Sequence, residues 1–172
     1  MTQNQSLPEK VLIPFFGIEK PIVGVEIGVL GGSGSEGMLY RMPNLKLYCI
    51  DPWKHFTGRG YEAEHKQENH DFNYAATKDK LKAYGERAII LRMTSDEAME
   101  EIKEKVQFVH IDGDHRYEQV KKDIENYLPL IEKGGIISGH DWQNDDIKKA
   151  VNENFQKDKI HLCEDFVWWV YL

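Results

Sequence analysis

Val106 to Trp142 reads VQFVHIDGDHRYEQVKKDIENYLPLIEKGGIISGHDW, and this stretch decides the fold. It opens on Val106–Ile111, an apolar and β-branched run too short for a helix and rich in strand formers. The run stops at Asp112-Gly113-Asp114-His115. From Tyr117 the period becomes helical: Val120, Ile124, Tyr127/Leu128 and Ile131 share a face, with Lys121, Lys122 and Glu125 opposite. Gly134-Gly135 is the expected C-terminal cap. A second strand, Gly135–Gly139, then stops at His140-Asp141-Trp142. A β-α-β crossover joins parallel strands, so both tips deliver polar residues to the same sheet edge. Open α/β sheets bind ligands at that carboxyl edge.

Upstream, Ile22–Ile27 reads as a strand running into Glu26-Ile27-Gly28-Val29-Leu30-Gly31-Gly32-Ser33-Gly34, followed by a helix over Ser35–Met42. Strand, glycine-rich turn and helix form a nucleotide-binding turn, in which glycine lets a ligand approach the backbone and the helix start offers free N–H groups. Leu30 stands where a dinucleotide-binding glycine is expected, which weighs against pyrophosphate. The next strand, Leu45–Ile50, ends in Asp51-Pro52-Trp53, placing an acid where ribose hydroxyls bind. Trp53 is a candidate to cover an adenine face, with plain packing as the alternative.

His55–Asn73 is the least regular region. Gly58 and Gly60 loosen it, the spacing of His55, His65 and His70 fits no structural zinc pattern, and its position makes it the candidate lid. A helix over Tyr74–Tyr84 ends at Gly85, and a strand over Ala88–Leu91 follows. Ser95 is the expected N-cap of a helix over Asp96–Glu104, beside where an adenine amine would lie. Beyond Trp142 the pattern predicts an amphipathic helix, Asp145–Phe155, then Ile160–Cys163, a turn at Glu164-Asp165, and Phe166–Leu172. The last two form an antiparallel hairpin whose FVWWVYL run is an inserted central strand, with Trp168 and Trp169 in the core.

The 172 residues suit a single domain, 1–172, with 1–21 as an N-terminal extension. Residues 1–10 are polar and expected to be mobile, while Val11–Phe16 is an apolar patch, interrupted by Pro14, suited to cover the sheet. Net charge is −7, and Lys and Arg are interspersed with acids, so nucleic acid is not the expected partner. Cys49 and Cys163 read as small apolar residues, not as a disulfide. The start has no basic region and no long apolar core. Neither signal peptide nor membrane span is expected, and a cytoplasmic protein, alone or as a homo-oligomer, is the default expectation.

The glycine turn with Glu26, Asp51 after the next strand, IDGDHRYEQVKKDI, LIEKGGIISGHDW and the closing hairpin together resemble class I S-adenosylmethionine-dependent methyltransferases. The resemblance is closest to small bacterial O-methyltransferases, including macrolide- and sugar-modifying enzymes, and covers roughly residues 22–172. It implies a Rossmann-like α/β fold with a seven-stranded, mostly parallel sheet of order 3-2-1-4-5-7-6, strand 7 antiparallel, and helices on both faces. It further implies S-adenosylmethionine as cofactor, with Gly28 and Gly32 bordering its methionine and ribose part, Glu26 supporting that loop, Asp51 on the ribose hydroxyls and Ser95 near the adenine; Trp53 and Asp112 are further candidate cofactor-binding residues. Metal-dependent relatives hold Mg²⁺ with an acid after strand 4 and a pair after strand 5, and the matching positions are Asp112, His140 and Asp141. His140 departs from the usual oxygen ligand, since imidazole suits transition metals better than Mg²⁺. Asp114 matches a position assigned as general base in some relatives.

Methyl transfer to oxygen needs an aligned acceptor and removal of its proton. A Mg²⁺ or Mn²⁺ ion on Asp112 and Asp141 would acidify the hydroxyl, and Asp114 or His115 could take the proton. The acceptor expected is a small molecule. Two alternatives stay open: a non-catalytic adenosylmethionine-binding module, and an NAD-dependent Rossmann-like oxidoreductase.

Overall fold

The computed structural model describes residues 7–57 and 65–172. Its strands are β1 (Ile22–Ile27), β2 (Leu45–Ile50), β3 (Ala88–Leu91), β4 (Val106–Ile111), β5 (Ile131–Gly139), β6 (His161–Cys163) and β7 (Val167–Tyr171). They form one seven-stranded sheet of order β3-β2-β1-β4-β5-β7-β6. β1 to β5 pair in parallel, and β7 runs antiparallel to both β5 and β6. The β-branched runs become central strands because both of their faces are covered. Val25, Ile27, Val109, Ile111, Ile137 and Trp168 pack on one side, and Leu47, Cys49, Phe108 and Ile136 on the other.

The helices are α1 (Ile13–Phe16), α2 (Ser33–Arg41), α3 (Gln67–Leu81), α4 (Ser95–Ala98), α5 (Tyr117–Tyr127) and α6 (Asp145–Asn154). α5 and α6 cover the first side through Val120, Ile124, Tyr127, Ile147 and Val151. α2 covers the second with Met38 and Leu39, joined by Leu7, Val11 and Leu12 from the N-terminal helical turns. Residues 7–10 therefore depart from the mobile tail expected of them. Leu7, Val11 and Leu12 recur at helical spacing and are buried, and that burial docks the segment. Residues 1–6 lie outside the described residues, as do Gly58 and Gly60.

Three expected boundaries move. The helix after β4 stops at Tyr127, with a single 3₁₀ turn at Leu128–Leu130, because Pro129 has no N–H to continue it. Gly134-Gly135 is thus no cap: it lies within β5, where the pairing register with β4 shifts and Gly134 takes φ 84°. The helix expected from Asp96 to Glu104 is only one turn of α plus a 3₁₀ turn, Met99–Glu101. Its N-cap is Thr94, not Ser95, because Glu97 stands three residues on and completes a capping box. α3 starts at Gln67, so His70, Phe72 and Asn73 are helical, not loop. Trp169 is only half-buried, its ring stacked on His161 and edge-on to Phe15. Cys49 is buried and Cys163 half-buried, and the two are not joined to each other in a disulfide; no described helix is long and apolar enough to cross a membrane.

Candidate active site at the carboxyl edge

The inner parallel strands finish in register: Ile27 pairs with Ile50 and Ile111, and Ile111 with Gly139. The residues that follow (Gly28, Asp51, Asp112 and His140) therefore line one edge. Gly28 must be glycine there. Its φ is 88°, and a Cβ would lie 2.1 Å from the Asp112 carbonyl oxygen. The Asp51 carboxylate accepts from the N–H groups of Val29 (3.2 Å), Leu30 (2.9 Å) and Trp53 (2.7 Å), pinning the glycine turn to the tip of β2.

Leu30 holds the left-handed conformation, φ 51°, and its carbonyl accepts from Trp53 Nε1 (2.7 Å) and Thr77 Oγ1 (3.0 Å). Lys80 Nζ donates to the Gly31 carbonyl (2.8 Å) and to Ser33 Oγ (2.9 Å), so α3 ties down the turn from above. These bonds correct the adenine-covering role expected of Trp53. The indole is 1% exposed and packed on Tyr74, a buried strut of the turn, so it presents no face to a ligand.

Two adjoining clefts share Gly28, Asp51 and Gly113. The first, about 330 Å³, runs along the glycine turn and the start of α2 to Asp112, His115, His140 and Asp141. At its floor Glu26 is fully buried and accepts from Ser35 Oγ. Burial pushes its carboxyl up to about 8; the Ser35 bond opposes this, and the negative charges of Asp112 and Asp51 add to it. The second cleft, about 220 Å³, has apolar walls from Ile27, Ile50, Pro52 and Phe56 and a polar end built by Ser95, Gln119 and Asp123.

At the far end of the first cleft the chain leaves β5 sharply, with Asp141 at φ 56°. That turn brings His140, 9% exposed, onto the cleft beside both carboxylates. Its Nδ1 is 3.3 Å from Asp141 Oδ1 and 3.8 Å from Asp112 Oδ1. His115 Nε2 is 3.1 Å from Asp141 Oδ2 and 4.0 Å from Asp112 Oδ1. Among the described residues, Asp112, His115 and Asp141 bring one ligand atom each within 4.8 Å of one another. The imidazole that completes this group is His115, in place of the expected His140. Burial alone would raise the Asp141 carboxyl. Gln143, donating at 2.7 Å, and the two imidazoles outweigh it, and the group titrates below the ordinary range.

Asp114 and His115, adjacent in sequence, separate in space. Asp114 turns to the second cleft, where Arg116 grips it through Nε to both oxygens (3.0 and 2.8 Å), through Nη2, and through its backbone N–H (2.9 Å). An acid so engaged, away from Asp141, is a poor base for an acceptor at the other cleft.

The reading of the sequence passed over Asp123 and Gln119. Asp123 is 1% exposed, and its Oδ1 accepts from Ser95 Oγ (2.7 Å) and Gln119 Nε2 (2.9 Å). The signal was present: Asp123 occupies an apolar-stripe position, three residues after Val120 and four before Tyr127. Asn73 of α3, over the glycine turn, is a second wall residue that the loop reading concealed.

A sheet of this order, with its clefts divided by the glycine turn and Asp51, is the architecture of the Rossmann-like, S-adenosylmethionine-dependent methyltransferases. Residues 25–142 match the family described as "Methyltransferase domain", and the chain belongs to that family. Uncharacterized protein y4gI of Sinorhizobium fredii (strain NBRC 101917 / NGR234) is 29% identical over 102 residues, 57% of this chain and 10% of its own length. The chain thus spans about a tenth of that curated relative. An O-methyltransferase from Bacillus cereus, solved in complex with SAH, superposes with TM-score 0.66 at 12% identity, over 98% of this chain and 80% of its own. An rRNA methylase from Streptococcus thermophilus gives TM-score 0.66 at 12% identity, over 99% and 96%. Likeness at such identities establishes the shared fold, not a shared acceptor.

Proposed function

We propose that the chain transfers a methyl group from S-adenosylmethionine to a hydroxyl of a small-molecule acceptor. The observation that carries this reading is the pair of adjoining clefts that meet at Asp51, one running along the glycine turn to Asp112 and Asp141 and the other with Ile27, Ile50, Pro52 and Phe56 among its walls. The carboxylates of the first cleft suit the sulfonium and ammonium of the methionine end, and the apolar wall of the second suits a purine. Gly28 and Asp112 border the former, while Gly32, expected there, is buried against Thr77 behind the turn; Ser95 stands at the latter, and the ribose falls beside Asp51. Glu26 supports the floor. Trp53 contributes by holding Leu30.

The acceptor oxygen attacks the methyl carbon, the S–CH₃ bond breaks to leave S-adenosylhomocysteine, and the acceptor proton passes to the protein. His115 is the base in this reading: Asp141 orients its ring, and it stands on the methionine cleft while Asp114 does not. Asp112 and Asp141, with the His140 imidazole beside both, would suit a divalent cation such as Mn²⁺ or Mg²⁺ and leave His115 as the base; an ion that took His115 as its nitrogen ligand instead would remove it from that role. Such an ion would lower the pKa of the acceptor hydroxyl and fix its position.

Calorimetry is expected to show binding of S-adenosylmethionine and S-adenosylhomocysteine and none of NAD; the reverse result would overturn the reading. With an acceptor found by labelled-methyl transfer, His115→Ala should lower kcat by roughly 10²–10⁴-fold without weakening cofactor binding. Asp114→Ala should keep most of kcat. If His115→Ala turns over like wild type, another group takes the proton.

A further inference from the structure

The sheet ends differently at its two edges. At one, β3 keeps all four of its residues half-buried. At the other, β6 pairs inward with β7, and no strand lies on its outer side among the described residues. Natural edge strands are guarded against further pairing by shortness, proline, a bulge or an outward charge. β6 is short, but His161-Leu162-Cys163 contains no proline, lysine or acid, its pairing with β7 is regular, and Leu162 is 56% exposed. Apolar surface continues around this end of the molecule. On the face that carries Trp169, the Phe15 ring lies edge-on to Trp169 and tilted against Tyr171, with centroids 5.2 and 5.4 Å apart, and His161 stacks on Trp169 at 4.3 Å. Phe15, Tyr171 and Phe166, in the turn after β6, all stay exposed. Such a concentration of exposed apolar side chains at an open edge marks a contact surface.

The charges flanking β6 select the occupant. The chain enters the strand through Lys157-Asp158-Lys159, basic on balance, and leaves it through Glu164-Asp165, all of them exposed. Glu164 has Lys10 of its own chain 3.9 Å away. A second β6 laid antiparallel, Leu162 opposite Leu162, sets Lys159 across from Asp165 and His161 across from Cys163. A parallel neighbour would set like charge beside like. The edge is thus complementary to itself in one orientation. We infer that two copies of the chain associate through β6, antiparallel about a twofold axis at Leu162, and join their seven-stranded sheets into one. Each copy's outward N–H and C=O groups are then met by the other's, and the two Leu162 side chains pack together on the axis. On the aromatic face, the Trp169–His161 stack of one copy runs on to the partner's Cys163. β7 separates β6 from β5, so the clefts at the tips of the inner strands stay open in the pair. A ladder of this length buries less than the roughly 800 Å² per partner of a standard interface, so the pair forms reversibly, at micromolar concentration.

The test is sedimentation equilibrium of the full chain from micromolar to millimolar concentration. The mass should rise from that of one chain to that of two and stop there. Leu162→Glu changes an exposed side chain and sets two carboxylates against each other on the axis; it should hold the protein at one chain, with an unaltered circular dichroism spectrum showing that it is folded. Lys159→Glu, which places an acid opposite Asp165, should weaken association by roughly three- to tenfold. The register has its own check. Directly paired Cα atoms lie about 4.5–5.5 Å apart, within disulfide reach. Leu162→Cys, made together with Cys163→Ser, should therefore cross-link two chains under mild oxidation, whereas Tyr40→Cys, exposed on α2, should not. A wild type that stays a single chain at every concentration overturns the inference, as does a mass that climbs beyond two chains. So does a pair that persists in folded Leu162→Glu and fails to cross-link through Leu162→Cys.

Discussion

Asp141 concentrates several roles in one side chain. It sits in a left-handed turn, faces two imidazoles, and is held charged by them and by Gln143 against the pull of burial. If a divalent ion assists the reaction, turnover should fall after chelation and return on adding Mn²⁺ or Mg²⁺. Asp141→Asn, with one charge fewer, should then need at least ~10-fold more metal for half-maximal activity. Full wild-type activity in chelator would show that the His115–Asp141 pair works without an ion. Gly28 and Asp51 carry structural roles besides the expected ligand contacts. The first permits the crossing with Asp112, and the second anchors the turn through backbone N–H groups. Asp51→Ala should therefore disturb the empty protein as well as the ribose site.

At the level of elements, the short helix α4 has outsized importance because its first turn presents Ser95 to Asp123. One turn of helix has little stability of its own, and the reciprocal Thr94–Glu97 bonds hold it. Thr94→Ala should cost about 1 kcal/mol in denaturant unfolding. It should also weaken adenosine binding, since Ser95 loses its fixed position; unchanged stability would mean that packing of Ala98 alone holds the turn. α3 acts differently. It is tied to the glycine turn by Thr77 and Lys80, so the two elements hold the methionine cleft together.

Across the whole molecule, a polar row runs through the sheet beneath the site: Glu26 pairs in register with His110, and His110 with Ser138. His110 is fully buried, its Nδ1 3.1 Å from Ser138 Oγ, and burial, with His140 nearby, pushes it down to about 3. Opposite pH dependences follow. Glu26, raised from 4.5 to about 8, gives stability that is fully present below pH 4.5 and lost as pH rises to 8. His110, lowered from 6.5 to about 3, gives stability present above pH 6.5 and lost as pH falls to 3. Each amounts to on the order of a few kcal/mol. In thermal melts across pH, Glu26→Gln should flatten the alkaline decline and His110→Gln the acid decline. A variant that keeps the wild-type slope on its own side would show that its parent group does not carry the linkage.

Much of this fold was legible in the chain. β1 to β4 fall where the apolar runs lie, because a strand buried on both faces must be apolar at nearly every position. The sheet order, with β7 inserted between β5 and β6, was implied by the resemblance to class I methyltransferases, and the hairpin from the short turn at Glu164-Asp165. Local chemistry misled where two signals competed: a glycine pair reads as a cap until Pro129 has already stopped the helix, and Ser95 reads as a cap until Thr94 meets Glu97. Linear order alone left undecided the direction of each side chain at the edge. Asp114 and His115 are neighbours in sequence yet enter different clefts, and His140 reaches the cleft only because the backbone turns at Asp141. Asp123 joined the site from mid-helix. Such juxtapositions arise from the turn of a loop and the packing of a helix on the sheet, which the tertiary structure sets, while the sequence by itself determined which residues could be strands, turns and core.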